Sequence, residues 1–363
     1  MRAIPQLEIT EARLTSSTVF ETAPAAWNSG TTYTAGDYAS TAGANGLITC
    51  YRALDPDSPP VGNLNHITSD TNWWEDVGET YQVYSGGSTY ALAEYVIDTT
   101  THFVFKSVKA GNVGNTLPAT SVLDDAWWLP IQPTNKWAMF NLLRNTRTVV
   151  PSTLTVVITP GQRVDSFDVS DMVNVSTLHL TMVSGATTVY DYTDDLNERD
   201  VFDWYDYFFA PFSTAPSSVH FDLPPYSNGV ITLTLTSTSG NVEVGSFVVG
   251  TQVYVGKAAY SATRDFLNFS TVKREFDGRI AELVQRKGIP RTRQIIKVEK
   301  NRVRLVSELL LTLDATPATW SALDDENDVY FNPLHIIGFV KSGSINIDFP
   351  DYALLTLELE SVT

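Results

Sequence analysis

The densest collection of side chains that could do chemistry lies between Asp191 and Phe212. Paired carboxylates can act as the acid and base of glycoside hydrolysis, and clustered carboxylate oxygens can bind calcium. A solvated acidic loop that contacts a partner is the simpler interpretation, and Asp194, Asp195, Trp204 and Tyr205 are its candidate contact residues. The acidic residues are Asp191, Asp194, Asp195, Glu198, Asp200, Asp203 and Asp206, interleaved with Tyr192, Trp204, Tyr205, Tyr207, Phe208 and Phe209.

A second run of oxygen ligands, Asp324–Asp328, offers another calcium alternative. Neither this run nor Asp191–Asp195 matches the spacing of an EF-hand loop. The sequence therefore predicts no metal and no cofactor, while a glycosidase pair within Asp191–Asp206 stays open.

Other catalytic motifs are missing from the sequence. The five histidines are scattered, with no His-x-x-x-His pair, and there is no Gly-x-Ser-x-Gly elbow or phosphate-binding glycine loop. Cys50 is the single cysteine, which excludes an internal disulfide and a cysteine-based zinc site and predicts a small buried residue in a strand. We therefore predict that the protein is not an enzyme.

Charge and hydropathy narrow the classes of partner. The chain of 363 residues carries 41 acidic and 24 basic residues, for a net charge of −17. Such a balance argues against nucleic acid and anionic membrane surfaces as partners. No stretch approaches the ~20 apolar residues of a membrane span, and Pro5 and Glu8 interrupt the apolar run that a signal peptide needs. The expectation is synthesis in the cytoplasm without membrane insertion.

Two neighbouring segments, Trp27–Gly78 and Tyr84–Ile131, repeat one pattern. Each has a Ser/Thr-Tyr step near its start, at Tyr33 and Tyr90, and a double tryptophan near its end. The tyrosines are 57 residues apart and the tryptophan pairs Trp73-Trp74 and Trp127-Trp128 are 54 apart. A three-residue difference in length reconciles the two spacings, so we infer a tandem repeat of one small β module.

The aromatic residues of these modules have two possible roles. Sugar rings stack on exposed aromatic faces, but a unit of about 50 residues also needs aromatic bulk for its core. We expect Trp74 and Trp128 to lie in the core. The candidates for glycan binding or for an interface are Trp27, Tyr33, Tyr51, Trp73, Tyr90 and Trp127.

The order of these residues in the first module resembles the small chitin-binding-type carbohydrate-binding modules, which accompany bacterial chitinases and occur in phage tail proteins. The matching residues are Trp27, Tyr33, Gly36, Asp37, Tyr51, Trp74 and Gly78. In the second module Ala93-Glu94 replaces Gly-Asp and Tyr84 replaces the leading tryptophan. The resemblance implies two small β modules, at residues 25–78 and 79–131, with sugar binding expected more of the first.

Short strands ending at turn residues follow, which is typical of an antiparallel β-sandwich at residues 132–256. Predicted strands are Leu154–Thr159, Leu178–Val183, Val230–Thr236 and Val242–Gly250, the last two as a hairpin. The pattern of Glu243–Gly250 resembles a galactose-binding-like jelly roll of phage tail and baseplate proteins. That resemblance makes Trp137–Asn141 the entry strand.

Residues 257–363 are predicted to form a β-rich C-terminal domain. Apolar residues at helical spacing predict one amphipathic helix from about Arg302 to Leu313, and alternation predicts a final hairpin, Ser344–Phe349 with Ala353–Glu360. The run Lys273–Gly278 together with Asp314–Trp320 and this hairpin resembles the C-terminal domains of phage tail-tip proteins. Residues 1–24 are predicted to be an extended arm that adds a strand to a neighbour, or else a disordered tail.

The fold class predicted is mainly β: two small modules, a sandwich and a β-rich domain with one helix. The resemblances imply a structural component of a bacteriophage tail, in the tail tip or baseplate, joined to other virion proteins and present as a homo-oligomer or in several copies around the tail axis. The alternative is a glycan-binding adhesin or receptor-binding protein that recognises host polysaccharide. A glycan-degrading enzyme with appended modules is the third and weakest hypothesis.

Overall fold

The computed structural model describes residues 1–55, 62–64, 66–142, 146–199, 201, 203–210, 213–286, 288–323, 330–347 and 349–362. Strands dominate and pair antiparallel, so the predicted mainly β class is confirmed. No helix in the described part of the chain combines the length and apolar character needed to cross a bilayer. The predicted run Asp324–Asp328 lies outside the described residues.

The described residues among the first 133 form ten strands. In chain order they are β1 (Arg2–Pro5), β2 (Leu14–Ser17), β3 (Thr32–Tyr33), β4 (Tyr38–Ala42), β5 (Leu47–Ala53), β6 (Asn63–Leu64), β7 (Trp74–Tyr81), β8 (Tyr95–Asp98), β9 (Phe103–Ser107) and β10 (Trp128–Pro133). Strands β4-β5-β7 form one three-stranded sheet and β10-β9-β8 form another, while β3 pairs with β6. Each predicted module therefore has a three-stranded sheet of its own.

Cys50 is fully buried in β5, which confirms its predicted place in a strand. Burial, with a smaller contribution from the negative charge of Asp76, raises the pKa of the thiol to about 12. Because the thiolate is the reactive form, we expect no labelling by a thiol reagent at pH 8 in the native protein and rapid labelling in denaturant. Rapid labelling without denaturant would mean that the first module opens readily.

The described residues between 146 and 250, which form most of the sandwich, contain eight strands and one short α-helix. They are β11 (Thr148–Ile158), β12 (Ser166–Val173), β13 (Thr177–Ser184), β14 (Thr187–Asp195), β15 (Asn197–Glu198), α1 (Trp204–Phe209), β16 (Ser213–Thr214), β17 (Ser217–His220) and β18 (Gly229–Gly250). One layer has the order β14-β13-β18-β11-β2, and β12 pairs with both β17 and β18 in the other. Alternate residues from these strands fill one large apolar core.

The predicted hairpin of Val230–Thr236 and Val242–Gly250 is wrong, because both segments belong to the single strand β18. Its first half pairs with β13 and its second half with β12. Strand β11 pairs along both halves, with a register shift between Pro151 and Thr153. The two long strands therefore pass together from one layer of the sandwich to the other.

The predicted entry strand Trp137–Asn141 is also wrong, since Ala138–Phe140 form a 3₁₀ helix. Trp137, Ala138, Met139 and Phe140 are all buried, whereas a strand would alternate between its two faces. A helical turn allows consecutive side chains to enter a core that surrounds them.

After Gly250 the described residues add nine strands and two α-helices. They are β19 (Val253–Tyr254), β20 (Lys257–Ala258), β21 (Thr263–Leu267), β22 (Thr271–Arg274), β23 (Ile280–Val284), β24 (Ile289–Glu299), α2 (Val303–Thr312), β25 (Ala318–Ser321), α3 (Phe331–Leu334), β26 (His335–Asn346) and β27 (Tyr352–Ser361). The main sheet has the order β19-β1-β25-β26-β27-β24-β20, with β21 paired to β24. Helix α2 and the terminal hairpin of β26 and β27 confirm the predicted helix and hairpin.

The N-terminal segment supplies a strand to each of the two large sheets, in agreement with strand addition and not with a disordered tail. Strand β1 lies between β19 and β25 in the C-terminal sheet. Strand β2 pairs with β11 at the edge of the sandwich. The neighbours that receive these strands belong to the same chain, so the segment ties the sandwich to the C-terminal sheet.

Two buried acids lie where these parts meet. Glu21 accepts hydrogen bonds from His102 Nδ1, Thr134 Oγ1 and Trp137 Nε1 at 2.9–3.0 Å, and so joins the second module to the sandwich. Asp168 of β12 accepts from Thr319 Oγ1 at 2.6 Å and pairs with His335 Nε2 at 3.3 Å in the C-terminal sheet. Neither acid was singled out from the sequence, because its partners lie far away along the chain.

Candidate functional site

The two small modules are built around equivalent aromatic pairs. In the first, the ring of Tyr33 packs edge-on against Trp74, with centroids 4.9 Å apart and an angle of 69° between the planes. In the second, Tyr90 packs on Trp128 at 5.2 Å and 70°. Trp74 and Trp128 are 2% and 0% exposed, as predicted for core residues. The two aromatic pairs have nearly the same geometry and the same place in their modules. The tandem repeat inferred from the sequence is therefore also present in the structure.

Hydrogen bonds repeat in the same way. The indole N–H groups of Trp27 and Trp74 both donate to the carbonyl of His66, at 3.1 and 2.9 Å. In the second module the Tyr84 hydroxyl and the Trp128 indole both donate to the carbonyl of Asn115, each at 2.9 Å. The Tyr84 hydroxyl therefore makes the hydrogen bond in the second module that the Trp27 indole makes in the first.

The turn before the first strand of each three-stranded sheet is preserved although its residues differ between the modules. Gly36 and Ala93 both have positive φ, at 94° and 68°. Asp37 accepts the N–H of Thr34 and Glu94 accepts the N–H of Ala91, each at 2.7 Å. The Thr34 N–H, with help from the Thr34 hydroxyl, holds the pKa of Asp37 below its ordinary value. The substitution that distinguishes the second module from the resembled family leaves its backbone geometry intact.

Among the candidate residues of the modules, Tyr33 and Tyr90 are buried, so neither ring can serve as an exposed platform. Each of their hydroxyls accepts a backbone N–H, from Asn28 and Ser85 respectively. This corrects their assignment to a binding surface: each is needed to complete a core that has few other large residues.

The remaining module candidates, Trp27, Tyr51, Trp73 and Trp127, are partly buried and pack against the two small cores. The ring of Trp73 stacks on the imidazole of His66, with centroids 4.0 Å apart. Lys109 Nζ lies 4.9 Å from the ring centroid of Trp127. The outer tryptophan of each pair is thus only partly buried, with a histidine beside Trp73 and a lysine beside Trp127.

The acidic segment is more ordered than the predicted loop. Asp191, Asp194 and Asp195 belong to β14, and Asp191 Oδ1 lies 2.9 Å from His179 Nε2 on the neighbouring strand. Further along, Asp203 caps helix α1 by accepting the N–H of Asp206 at 2.9 Å. The sequence signal for this helix was weak, because five of its six residues are aromatic and leave no polar face to define a period.

Helix α1 carries the largest concentration of exposed aromatic rings in the described chain. Trp204 is 80% exposed and Tyr205 is 69% exposed. Tyr207, Phe208 and Phe209 are more than half exposed as well. Strand β15 precedes the helix in the chain and β16 follows it, and these two short strands pair with each other. An exposed cluster of large aromatic rings is unusual on the surface of a free monomer.

The acidic residues before the helix line a small cavity of about 220 Å³ with Tyr192 and Asn332. Asp194, Asp195 and Glu198 are among its lining residues. Within the described part of the chain, no group of three or more His, Cys, Asp or Glu side chains is placed to hold a metal ion. The calcium alternative at Asp191–Asp195 is therefore not supported by the geometry.

A scan against protein-family models, a search of curated proteins and a search of solved structures gave no match.

His220 is a buried residue next to the acidic cavity, and its ring contacts Phe167 and Tyr192, the second of which lines that cavity. Burial lowers its pKa, against the opposing effect of Asp222 and Asp194. The unfolded chain binds a proton at about pH 6.5 while the folded chain does not, so stability falls as pH drops below that value. In urea unfolding, the free energy of unfolding should fall less between pH 7 and pH 5 for His220→Gln than for the parent. Equal losses would assign the acid sensitivity to other groups.

Proposed function

We propose that the chain is a structural component of a bacteriophage tail, in the tail tip or baseplate, and that it joins neighbouring virion proteins. The observation that carries the proposal is the aromatic surface of α1, which we define as Trp204, Tyr205, Phe208 and Phe209. Tryptophan and tyrosine are the residues most enriched at the energetic centres of protein interfaces. A surface of this kind in water favours association.

The remaining architecture supports a joining role. The described residues form five apolar cores along one chain, and the two cores of the modules are small. The repeated modules offer two similar surfaces, and the resemblance to modules of phage tail proteins is consistent with this use. We place the protein in the tail of the virion after synthesis in the host cytoplasm, and we propose no catalytic activity.

Particle composition tests this proposal. Tail particles of a virus that encodes the parent chain should contain the protein at a fixed site when imaged. The triple variant Trp204→Ser, Tyr205→Ser and Phe208→Ser should be incorporated at a strongly reduced level, because all three changes remove exposed apolar area and spare the core. Leu123→Ser removes another exposed apolar side chain, in the second module, and should be incorporated normally. Particles without the protein in any form would overturn the proposal.

The second candidate function is recognition of a host-surface glycan by the modules. It is favoured by one observation, namely that the outer tryptophan is only partly buried in both modules while the inner one is buried. A glycan array of the parent, Trp73→Ala and Trp127→Ala tests it. Binding by the parent that is lost in either variant supports an adhesin, and no signal for the parent removes the candidate. Shortened polysaccharide chains after incubation would instead indicate an enzyme.

A further inference from the structure

A polar cavity of about 200 Å³ lies between the sandwich and the C-terminal sheet. Its described lining comes from β12, β17 and β18 on one side and from β21, β24, β26, β27 and α3 on the other. Apolar packing between these two parts is provided by a neighbouring cluster that includes Ile4, Val219, Val248 and Ile337. Beside that cluster, the contact between the two parts becomes polar.

Three serines line the sandwich side of the cavity, and we call Ser217, Ser170 and Ser246 the serine row. Ser170 of β12 is directly opposite Ser217 of β17 and directly opposite Ser246 of β18 in the register. Directly opposed residues share one face of a sheet. Strand pairing therefore places the three serines side by side, although they come from distant parts of the sequence.

The hydroxyl of Ser246 differs from the other two in the serine row. Ser170 Oγ donates to Asp168, and Ser217 Oγ donates to Asn332 Oδ1 at 3.2 Å. Ser246 is fully buried, and its Oγ has no hydrogen-bond partner among the described residues. Buried polar groups in folded proteins normally have a partner, which is a water or an ion where the chain supplies none. The Ser246 hydroxyl is therefore available to a ligand in the cavity.

Arg264 supplies positive charge from the opposite side of the cavity. Its Nη1 donates to the backbone carbonyls of Asn332 and Pro333, at 3.2 and 2.8 Å, which fixes the position of the guanidinium. Within the described part of the chain no carboxylate pairs with Arg264, and its Nε and Nη2 make no hydrogen bond. A guanidinium presents its N–H groups in a planar fork that matches the oxygens of a carboxylate or phosphate.

The carboxylates near the cavity are already bound by donors. Asp171 lines the cavity, and Arg147 donates to both of its oxygens at 2.8 Å. Asp168 accepts from Ser170 and Thr319 and pairs with His335, which lines the cavity. These contacts offset the negative charge of both acids. The donors that remain, on Ser246 and Arg264, favour a ligand that accepts hydrogen bonds and carries negative charge.

We propose that this cavity binds a small oxyanion, a phosphate or a carboxylate, between Arg264 and the serine row. Pockets for drug-sized ligands have volumes of about 300–1,000 Å³, so the smaller cavity here suits a compact group. An anion held from both sides would also stabilise the contact between the sandwich and the C-terminal sheet. The inference goes beyond the proposed function and does not depend on it.

Equilibrium dialysis of the full chain against labelled inorganic phosphate, and separately against labelled acetate, tests the site at constant ionic strength. The parent should bind one anion per chain, and the tighter of the two identifies the group as phosphate or carboxylate. Arg264→Met should weaken binding about tenfold or more, because hydrogen bonds between two charged groups are lost. Ser246→Ala should weaken it about two- to tenfold, because one neutral donor is lost.

Two matched variants serve as controls. Arg293 is exposed like Arg264 but lies on the other face of the sheet, since Arg264 is opposite Thr292 in the register. Ser218→Ala removes a buried hydroxyl from the other face of β17. Arg293→Met and Ser218→Ala should bind as the parent does, and circular dichroism should show that all variants are folded.

A parent that binds neither anion would overturn the inference. Equal affinities for Arg264→Met and Arg293→Met would also overturn it, because binding would then follow net charge and not this cavity. An unchanged affinity for Ser246→Ala would do the same, since that result is expected if a water molecule alone is the partner of the hydroxyl. None of these results depends on particle incorporation.

Discussion

Replacing Trp128 by alanine is expected to unfold the second module while the sandwich stays folded. The indole is fully buried and forms edge contacts with Tyr84 and Tyr90, at 5.7 and 5.2 Å between centroids. It also donates to the carbonyl of Asn115. Truncation of a buried tryptophan costs roughly 3–5 kcal/mol, and a unit of about 50 residues has little stability beyond that.

Amide hydrogen exchange can show which part of the chain unfolds in Trp128→Ala. The amides of Tyr95–Asp98 and Phe103–Ser107 should lose protection in Trp128→Ala, while those of Thr177–Ser184 in the sandwich should keep theirs. Trp127→Ala is the matched control, because it changes the neighbouring residue of the same type at a partly exposed position. If the two variants lost protection equally, the division into an inner and an outer tryptophan would be wrong. Trp74→Ala should act likewise on the first module.

Local patterns in the sequence predicted much of this fold. Alternating apolar residues located the strands that contain Leu154, Leu178 and Leu355, and helical spacing located α2. The tandem repeat could be detected because each module depends on a few large aromatic residues that must recur at the same places. These signals are local, and each element satisfies them within its own length.

The strand β18 was divided wrongly because Ser239-Gly240 is a turn signal by composition. Gly240 does have a positive φ, of 82°, but the chain continues in the same strand. Strand β11 bends with it, at Ser152, whose φ is 59°. Whether such a glycine reverses the chain or bends it depends on the strand beside it, whose bend at Ser152 lies 88 residues before Gly240. No local pattern contains that information.

The candidate site was predicted in part for a similar reason. The sequence drew attention to the acidic and aromatic segment, but not to a helix that presents its rings to solvent. It also placed Tyr33 and Tyr90 on a surface, although each completes a small core. Composition identifies residues suited to a contact; burial decides which of them are available, and burial depends on partners distant in sequence.

Replacing Asp168 by alanine is expected to destabilise the protein by roughly 3–5 kcal/mol, the range for removing one member of a buried pair. Its carboxylate is fully buried between the sandwich and the C-terminal sheet. It accepts from Ser170 Oγ and Thr319 Oγ1 and pairs with His335 Nε2. Loss of the carboxylate would leave these buried donors without it, while Asp168→Asn should lose less because the amide oxygen still accepts.

The chain contains its own control for this effect. Asp191 pairs with His179 at 2.9 Å, a shorter distance than the 3.3 Å between Asp168 and His335. The side chains of Asp191 and His179 are 65% and 44% exposed. Exposed pairs contribute about 0–1 kcal/mol, so Asp191→Ala should change the free energy of unfolding little. Similar losses for Asp168→Ala and Asp191→Ala in urea unfolding would mean that burial does not control the strength of these pairs. A large loss confined to Asp168→Ala would instead show that this buried carboxylate helps to hold the sandwich against the C-terminal sheet.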